Sequence, residues 1–140
     1  MTTQVVFAEV TEKPLDAAAL SAQAGHDAAG TVITFSGVVR NHDLGQSVDS
    51  IEYSAHPQAT EIIASLAAET ATRDGVHSVA VAHRVGHLRV GDVALVAVVA
   101  AEHRNQGFDA VIDLVEEVKK RLPVWKKQHF TDGHTEWTGL

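Results

Sequence analysis

Cysteine is absent from the 140 residues. Its absence excludes disulfides, thiolate zinc sites, iron-sulfur ligation and any cysteine nucleophile supplied by this chain, and it leaves the compartment undecided by redox evidence. Aromatic residues are scarce, 5% against 45% for all hydrophobics, so the core must be aliphatic and no platform for stacking bases is offered. Cations are the minority charge, 11 Lys+Arg against 18 Asp+Glu for a formal net charge of -7. That balance argues against a general affinity for nucleic acid or for an anionic membrane. Long apolar runs are also missing. The longest, Val93 to Ala101, is strand-length and far from the roughly 18 residues of a membrane span. The opening MTTQVVFAEVTEKP has no basic n-region and too short an apolar run for a signal peptide, so a soluble cytoplasmic protein is expected. GxxxxGK[ST], GxGxxG and GxSxG are all absent, which removes the common nucleotide loops and the serine-hydrolase elbow. No linker, low-complexity tract or repeat divides the chain, so residues 1–140 are read as one domain.

The patterns that are present alternate between strand and helix. Val5 to Val10 reads as a strand, Pro14 suits the first turn of a helix, and the alanine-rich Leu15 to Ala24 stops at Gly25. Thr31 to Ser36 alternates like a half-buried strand and leads through Gly37-Val38-Val39-Arg40 to a polar loop, Asn41-His42-Asp43-Leu44-Gly45. Val48 to Ala55 resumes as a strand. Pro57 opens a second helix to about Arg73, closed by Asp74-Gly75. Val76 to His83 and Leu88 to Ala101 are two more strands, with turns supplied by Arg84-Val85-Gly86-His87 and Gly91-Asp92. The last helix runs from an N-cap at Asn105 to Leu122, where Pro123 stops it. This order predicts an α+β fold with helices covering a mixed or antiparallel sheet.

Chemistry concentrates at three places. Lys119, Lys120, Arg121, Lys126 and Lys127 fall within nine positions with no acid among them, a cationic patch on an acidic chain. With Phe108 as the origin and about 100° per residue, Val111, Val115, Val118, Leu122 and Ile112 form an apolar stripe in which Lys119 falls at about 20°. A lysine on that stripe either snorkels or lines a pocket, where burial would lower its pKa. Lys120 and Arg121 are read as complements of the helix dipole. The second place is Glu102-His103-Arg104-Asn105, where a strand ends and a helix begins. Free backbone N–H groups with Arg104 and His103 make an anion site there, and Arg40 is a third cation if the two strand ends lie together. The third is the set of nine histidines. His83 and His87 have metal-ligand spacing only on a helix, which Gly86 argues against, and the remainder share no ligand-like spacing. No metal or cofactor is expected.

In this order the pieces resemble the catalytic (large) subunit of molybdopterin synthase. The matching segments are Phe35-Ser36-Gly37-Val38-Val39-Arg40-Asn41-His42 with Gly45, and His83-Arg84-Val85-Gly86-His87-Leu88-Arg89-Val90-Gly91-Asp92. His103-Arg104 with Phe108 and Ala110, Lys119, Pro123-Val124-Trp125-Lys126-Lys127, Asp132-Gly133 and Trp137 follow. The resemblance implies an α/β-hammerhead fold and a homodimer that binds a small ubiquitin-like sulfur-carrier subunit at each end, giving a heterotetramer. It implies that the carrier's C-terminal Gly-Gly thiocarboxylate delivers sulfur, twice, to cyclic pyranopterin monophosphate and so forms the dithiolene of molybdopterin. By the same resemblance Lys119 and Lys126 are the essential pair. Val38, Val39, Arg40, His103, Arg104, Lys127 and Gln128 fall at substrate-binding positions. The chain departs from the family pattern at Gln128, where Glu is common, and at Tyr53-Ser54-Ala55-His56, where the family has an acidic-aromatic run. The other reading from the residues is a noncatalytic module that binds a phosphorylated ligand through the same cations.

Overall fold

The computed structural model describes residues 4–140, so Met1 to Thr3 lie outside the described residues. Its elements run β1 (Gln4–Thr11), α1 (Ala17–Ala24), β2 (Thr31–Val38), β3 (His42–Asp43), β4 (Gln46–Ala55), α2 (Ala59–Ala71), β5 (Val76–Arg84), β6 (Gly86–Arg89), β7 (Val93–Ala101), α3 (Arg104–Arg121), β8 (Val124–Phe130) and β9 (Thr135–Gly139). A four-stranded mixed sheet has the order β1-β5-β7-β2, with β1 parallel to β5 and the other pairs antiparallel. A second, antiparallel sheet is ordered β3-β4-β8-β9, and β6 also pairs with β4. The α+β architecture expected from the element order is present.

Helices cover both faces of the mixed sheet, which is why its central strands read as nearly continuous apolar runs. Side chains alternate across a strand. Val79, Val81, Ala97 and Val99 therefore pack toward α2 and α3, around Ile63, Leu66, Leu114 and Val118. Their neighbours Ala80, Ala82, Val96 and Val98 pack toward α1, around Leu20 and Ala24. A separate cluster of Val39, Val48, Ile51, Leu88, Ala94 and Phe130 ties the second sheet to the ends of β2 and β7. It is this cluster that carries the site.

Several boundaries differ from the sequence reading, each for a local reason. The first helix starts at Ala17 because Asp16 caps it, its Oδ1 accepting from the Ala19 N–H at 3.0 Å. The second starts at Ala59 rather than at Pro57. The third is capped by His103 and not by Asn105, and the Gln106 side-chain oxygen accepts from the His103 N–H at 3.1 Å. The run Leu88 to Ala101 is two strands in two different sheets, broken by a turn at Gly91, whose φ of 93° a side chain would resist. The tail beyond Pro123, which periodicity left without structure, forms β8 and β9.

The buried face of α3 is also displaced from the predicted stripe. Gly107, Ala110, Val111, Leu114, Val115 and Val118 are its buried residues, whereas Phe108 and Ile112 are 49% and 58% exposed. The centre of the face lies about 90° from Phe108, so Lys119 sits about 110° from that centre, on an exposed edge. The small residues account for the difference. A Cβ on Gly107 would lie 3.0 Å from both Ile33 Cγ1 and Thr31 Cγ2, so Gly107 marks where the helix comes closest to β2. A stripe drawn through the largest apolar residues passes over that contact.

Candidate functional site

Several strands and the end of α3 meet at a cavity of about 360 Å³. The end of β2 supplies Val38, Val39 and Arg40, β4 supplies Ile51 and Tyr53, β5 supplies His83, the end of α3 supplies Lys119, and β8 supplies Lys126 and Gln128. The wall at Val39 is fixed through its backbone. The Val39 N–H donates to the Asp92 carbonyl at 2.9 Å, and its own carbonyl accepts from Gly91 at 2.8 Å. Asp92 in turn takes the Arg89 N–H on its carboxylate at 2.9 Å. The His83 to Asp92 segment is therefore the crossing between the two sheets that braces Val39 and Arg40 at the cavity.

Register decides which groups of the basic tail face inward. Tyr53 opposes Lys126 and Ile51 opposes Gln128 across β4 and β8, and residues two apart share a face. Lys126 and Gln128 thus line the cavity. Lys127 takes the other face, opposite Trp137, with its ammonium 5.7 Å from that ring's centroid. The sequence placed Lys127 with its neighbours, and the pleat separates it from them. Gln128 is 3% exposed, and its amide donates to Asp43 Oδ2 at 3.1 Å. Asp43 also pairs with Arg40 at 3.3 Å, so the β3-β4 hairpin is pinned to β8 by one carboxylate. The Gln128 hydrogen bond, opposed by partial desolvation and assisted by the charges of Lys126 and Arg40, holds the Asp43 carboxyl below its usual range.

The lysine expected on the apolar stripe is not the more buried of the two in the cavity. Lys119 lies on the exposed edge of α3, while Lys126 is half-buried. Burial first, then the charge of Lys119, lowers the pKa of Lys126 below the usual lysine range. Asp43 opposes this and Arg40 adds to it. Lys126 is therefore the amine brought toward proton exchange, and an arriving anion would draw it back toward the charged form. Burial raises the Tyr53 phenol.

His83 is 2% exposed. Burial, opposed by the Arg84 carbonyl and assisted by Lys119, lowers its pKa to about 4. In an unfolded chain it would titrate near ~6.5. Between these values the unfolded state binds the extra proton, so stability present above about pH 6.5 is lost as pH falls toward about 4. That difference corresponds to a loss on the order of 3 kcal/mol for this one group. Urea midpoints at fixed protein concentration should fall through this window in the wild type. In His83→Asn the slope between about pH 6.5 and 5 should flatten, and an unchanged slope would remove His83 as its source.

His103 and Arg104 are not at this cavity in the same chain. They line a second, open hollow of about 640 Å³ with Gly30, Thr31, Glu102 and Asn105 at the start of α3. β2 and β7 are antiparallel, with Val38 opposite Val93 and Thr31 opposite Ala101. Arg40 and Arg104 therefore sit at opposite ends of β7, about 27 Å apart. At the far end Glu102 accepts from His77 at 2.5 Å, and His77 stacks on His26 at 4.8 Å. Some cations outside the cavity are held by acids. Arg121 pairs with Glu69 at 2.9 Å and Glu117 at 3.7 Å, and Arg84 reaches Asp92 at 3.7 Å.

Sequence reasoning passed over Asp43 and the pocket role of Tyr53, and gave His83 a place in a family segment and a rejected metal-ligand spacing but no task at a cavity. Asp43 had a signal, an acid three residues after Arg40 in a turn-forming loop. Tyr53 had one in its strand register, readable only once β8 was known to be its partner. Among the described residues no group of three or more His, Asp or Glu is placed to hold a metal ion, and no helix is long and apolar enough to cross a membrane.

Residues 10–121 match the family described as MoaE protein. Over 133 residues the chain is 33% identical to the molybdopterin synthase catalytic subunit of Nostoc sp., covering 94% of this chain and 81% of that one. It is also 33% identical to molybdopterin synthase catalytic subunit 1 of Mycobacterium tuberculosis, over 95% of this chain and 90% of that one. The crystal structure of molybdopterin synthase from Staphylococcus aureus superposes with a TM-score of 0.85 at 29% identity, over 96% of this chain and 97% of the other.

Proposed function

The chain belongs to the MoaE protein family, and from that premise we propose that it is the catalytic subunit of molybdopterin synthase, moving sulfur from a carrier protein's C-terminal thiocarboxylate to cyclic pyranopterin monophosphate. The observation that carries the reading is the cavity in which Arg40, Lys119, Lys126 and Gln128 converge on a protein of net charge -7. Both reactants are anionic where they react, and a cluster of cations at the end of a dense strand scaffold attracts and orients them. With no cysteine in the chain, this protein supplies no thiol to carry the sulfur, which in this reading arrives on a small sulfur-carrier subunit. The reading carries with it a cytoplasmic location and a homodimer that engages one carrier at each end.

The residues divide the work by their surroundings. Arg40 presents a planar, permanently charged fork suited to phosphate oxygens, and Asp43 holds that fork in place until a stronger anion replaces it. Lys119, at the mouth, meets the entering thiocarboxylate and offsets the charge that develops as sulfur leaves the acyl carbon. Lys126, whose ammonium is weakened by burial, suits the proton movements that accompany thiol addition and opening of the cyclic phosphate. The hollow at His103 and Arg104 has the same anion-binding chemistry, but it cannot reach this cavity within one chain. In the homodimer it serves the cavity of the second copy.

Incubation with a thiocarboxylated carrier and the pyranopterin precursor is the direct test. Molybdopterin should form. Precursor that binds but is never consumed, with several charged carriers present, would instead favour the noncatalytic anion-binding reading.

A further inference from the structure

His83 is the buried titratable group of the cavity to which the sulfur-transfer scheme gives no task. It lies near the end of β5, paired with Leu95 on one side and Val10 on the other, and its Nδ1 is 2.8 Å from the Arg84 carbonyl oxygen. A carbonyl only accepts, so Nδ1 carries the proton and the neutral ring leaves Nε2 as a bare acceptor. Tyr53 meets the ring edge-on at 5.1 Å between centroids. These two contacts give the ring one orientation and one tautomer.

Nε2 has no protein partner, yet among the described residues no fully buried side-chain nitrogen or oxygen is left unpaired. Nε2 is therefore open to solvent, and the opening it meets is the cavity that His83 lines. The Asp43 carboxylate there already accepts from the Gln128 amide and from Arg40. Arg40, Lys126 and Lys119 are donors only. The Lys119 ammonium has no hydrogen bond or ion pair to any other protein group among the described residues, and its charge is felt at the His83 ring. One wall of the cavity thus holds an unused acceptor fixed in direction, and its mouth holds an unused donor on a flexible stem.

We propose that His83 is a positioning residue, its Nε2 accepting a hydrogen bond from the Lys119 ammonium and so fixing where that ammonium points. The inference rests on the reaction proposed above and deepens it. An ammonium has three donors, so one bond to His83 leaves two for thiocarboxylate or phosphate oxygens. A protonated ring would donate from both nitrogens and repel the lysine. Burial of the ring is what keeps the acceptor available.

Two substitutions separate the ring's two nitrogens. His83→Asn keeps an N–H within reach of the Arg84 carbonyl but has nothing at the Nε2 position, whereas His83→Gln carries its amide out to that position. His83→Asn should lower kcat on the order of 10²-fold, with KM for the precursor unchanged because Arg40 still holds the phosphate. His83→Gln should recover part of the loss. Equal losses in both variants, or a raised KM with kcat intact, would overturn the proposal. Nitrogen-15 spectra of histidine-labelled protein give a reading independent of turnover. They should show the Nδ1–H tautomer at His83, with an Nε2 resonance that moves in Lys119→Ala and stays in Lys120→Ala. An Nε2–H tautomer, or a resonance indifferent to Lys119→Ala, overturns the proposal even where the His83 variants fold poorly. If the wild type makes no product with any carrier while the spectra behave as expected, the reaction falls and the His83–Lys119 contact stands.

Discussion

Lys119→Ala is expected to lower turnover by on the order of 10²–10⁴-fold while leaving the fold almost untouched. The side chain lies on the exposed edge of α3, and surface substitutions of this kind change stability by within about 0.5 kcal/mol. What is lost is the cation at the mouth of the cavity, where the thiocarboxylate enters. Removing it should also bring the Lys126 ammonium back toward the ordinary lysine range, because the Lys119 charge is second only to burial among the causes that lower it. Lys120→Ala is the matched control. Lys120 is also exposed and lines none of the cavity, so turnover should stay near that of the wild type. Single-turnover assays with saturating charged carrier, run beside urea denaturation of each variant, would measure both quantities. Similar rates in the two variants would mean that the end of α3 does not address the cavity.

The second large effect concerns Arg104. Arg40 and Arg104 flank opposite ends of β7, about 27 Å apart, and line different hollows. If each catalytic centre is completed across a homodimer, Arg104→Ala and Lys119→Ala disable the same centre from different copies. Each variant alone should be nearly inactive. Reassociating the two in equal amounts produces mixed dimers in which one centre carries both changes and the other carries neither. About a quarter of all centres are then wild type, and turnover should recover to about that fraction. A mixture as inactive as its components, with subunit exchange verified by mass, would assign Lys119 and Arg104 to one chain's centre or to separate tasks.

The strands and helices themselves follow from periodicity, since burial on two faces leaves long aliphatic runs in β5 and β7 and burial on one leaves alternation in β2. The errors fall where side-chain volume misleads or where a partner strand decides the outcome. Phe108 and Ile112 look like core residues of α3 and are exposed, because Gly107 and Ala110 let another face approach β2. The segment Val124 to Phe130 carries two lysines and looks like a solvated tail. It becomes a strand because β4 offers it a ladder of hydrogen bonds, a long-range fact with no local trace.

By itself the sequence determined the chemistry: aliphatic layers with no thiol, an acidic whole with one dense group of cations, and the motifs around Arg40, His83, Lys119 and Lys126. It left open which of those groups meet. Tertiary structure placed Lys126 and Gln128 inside and Lys127 outside, because the pleat of β8 turns neighbours to opposite faces. It moved Lys119 to an exposed edge through the close approach of Gly107, and the antiparallel run of β7 carried Arg104 away from Arg40. The composition of the site is local information carried by residue type. Its geometry depends on register and on helix rotation, which are fixed only when distant segments pack together.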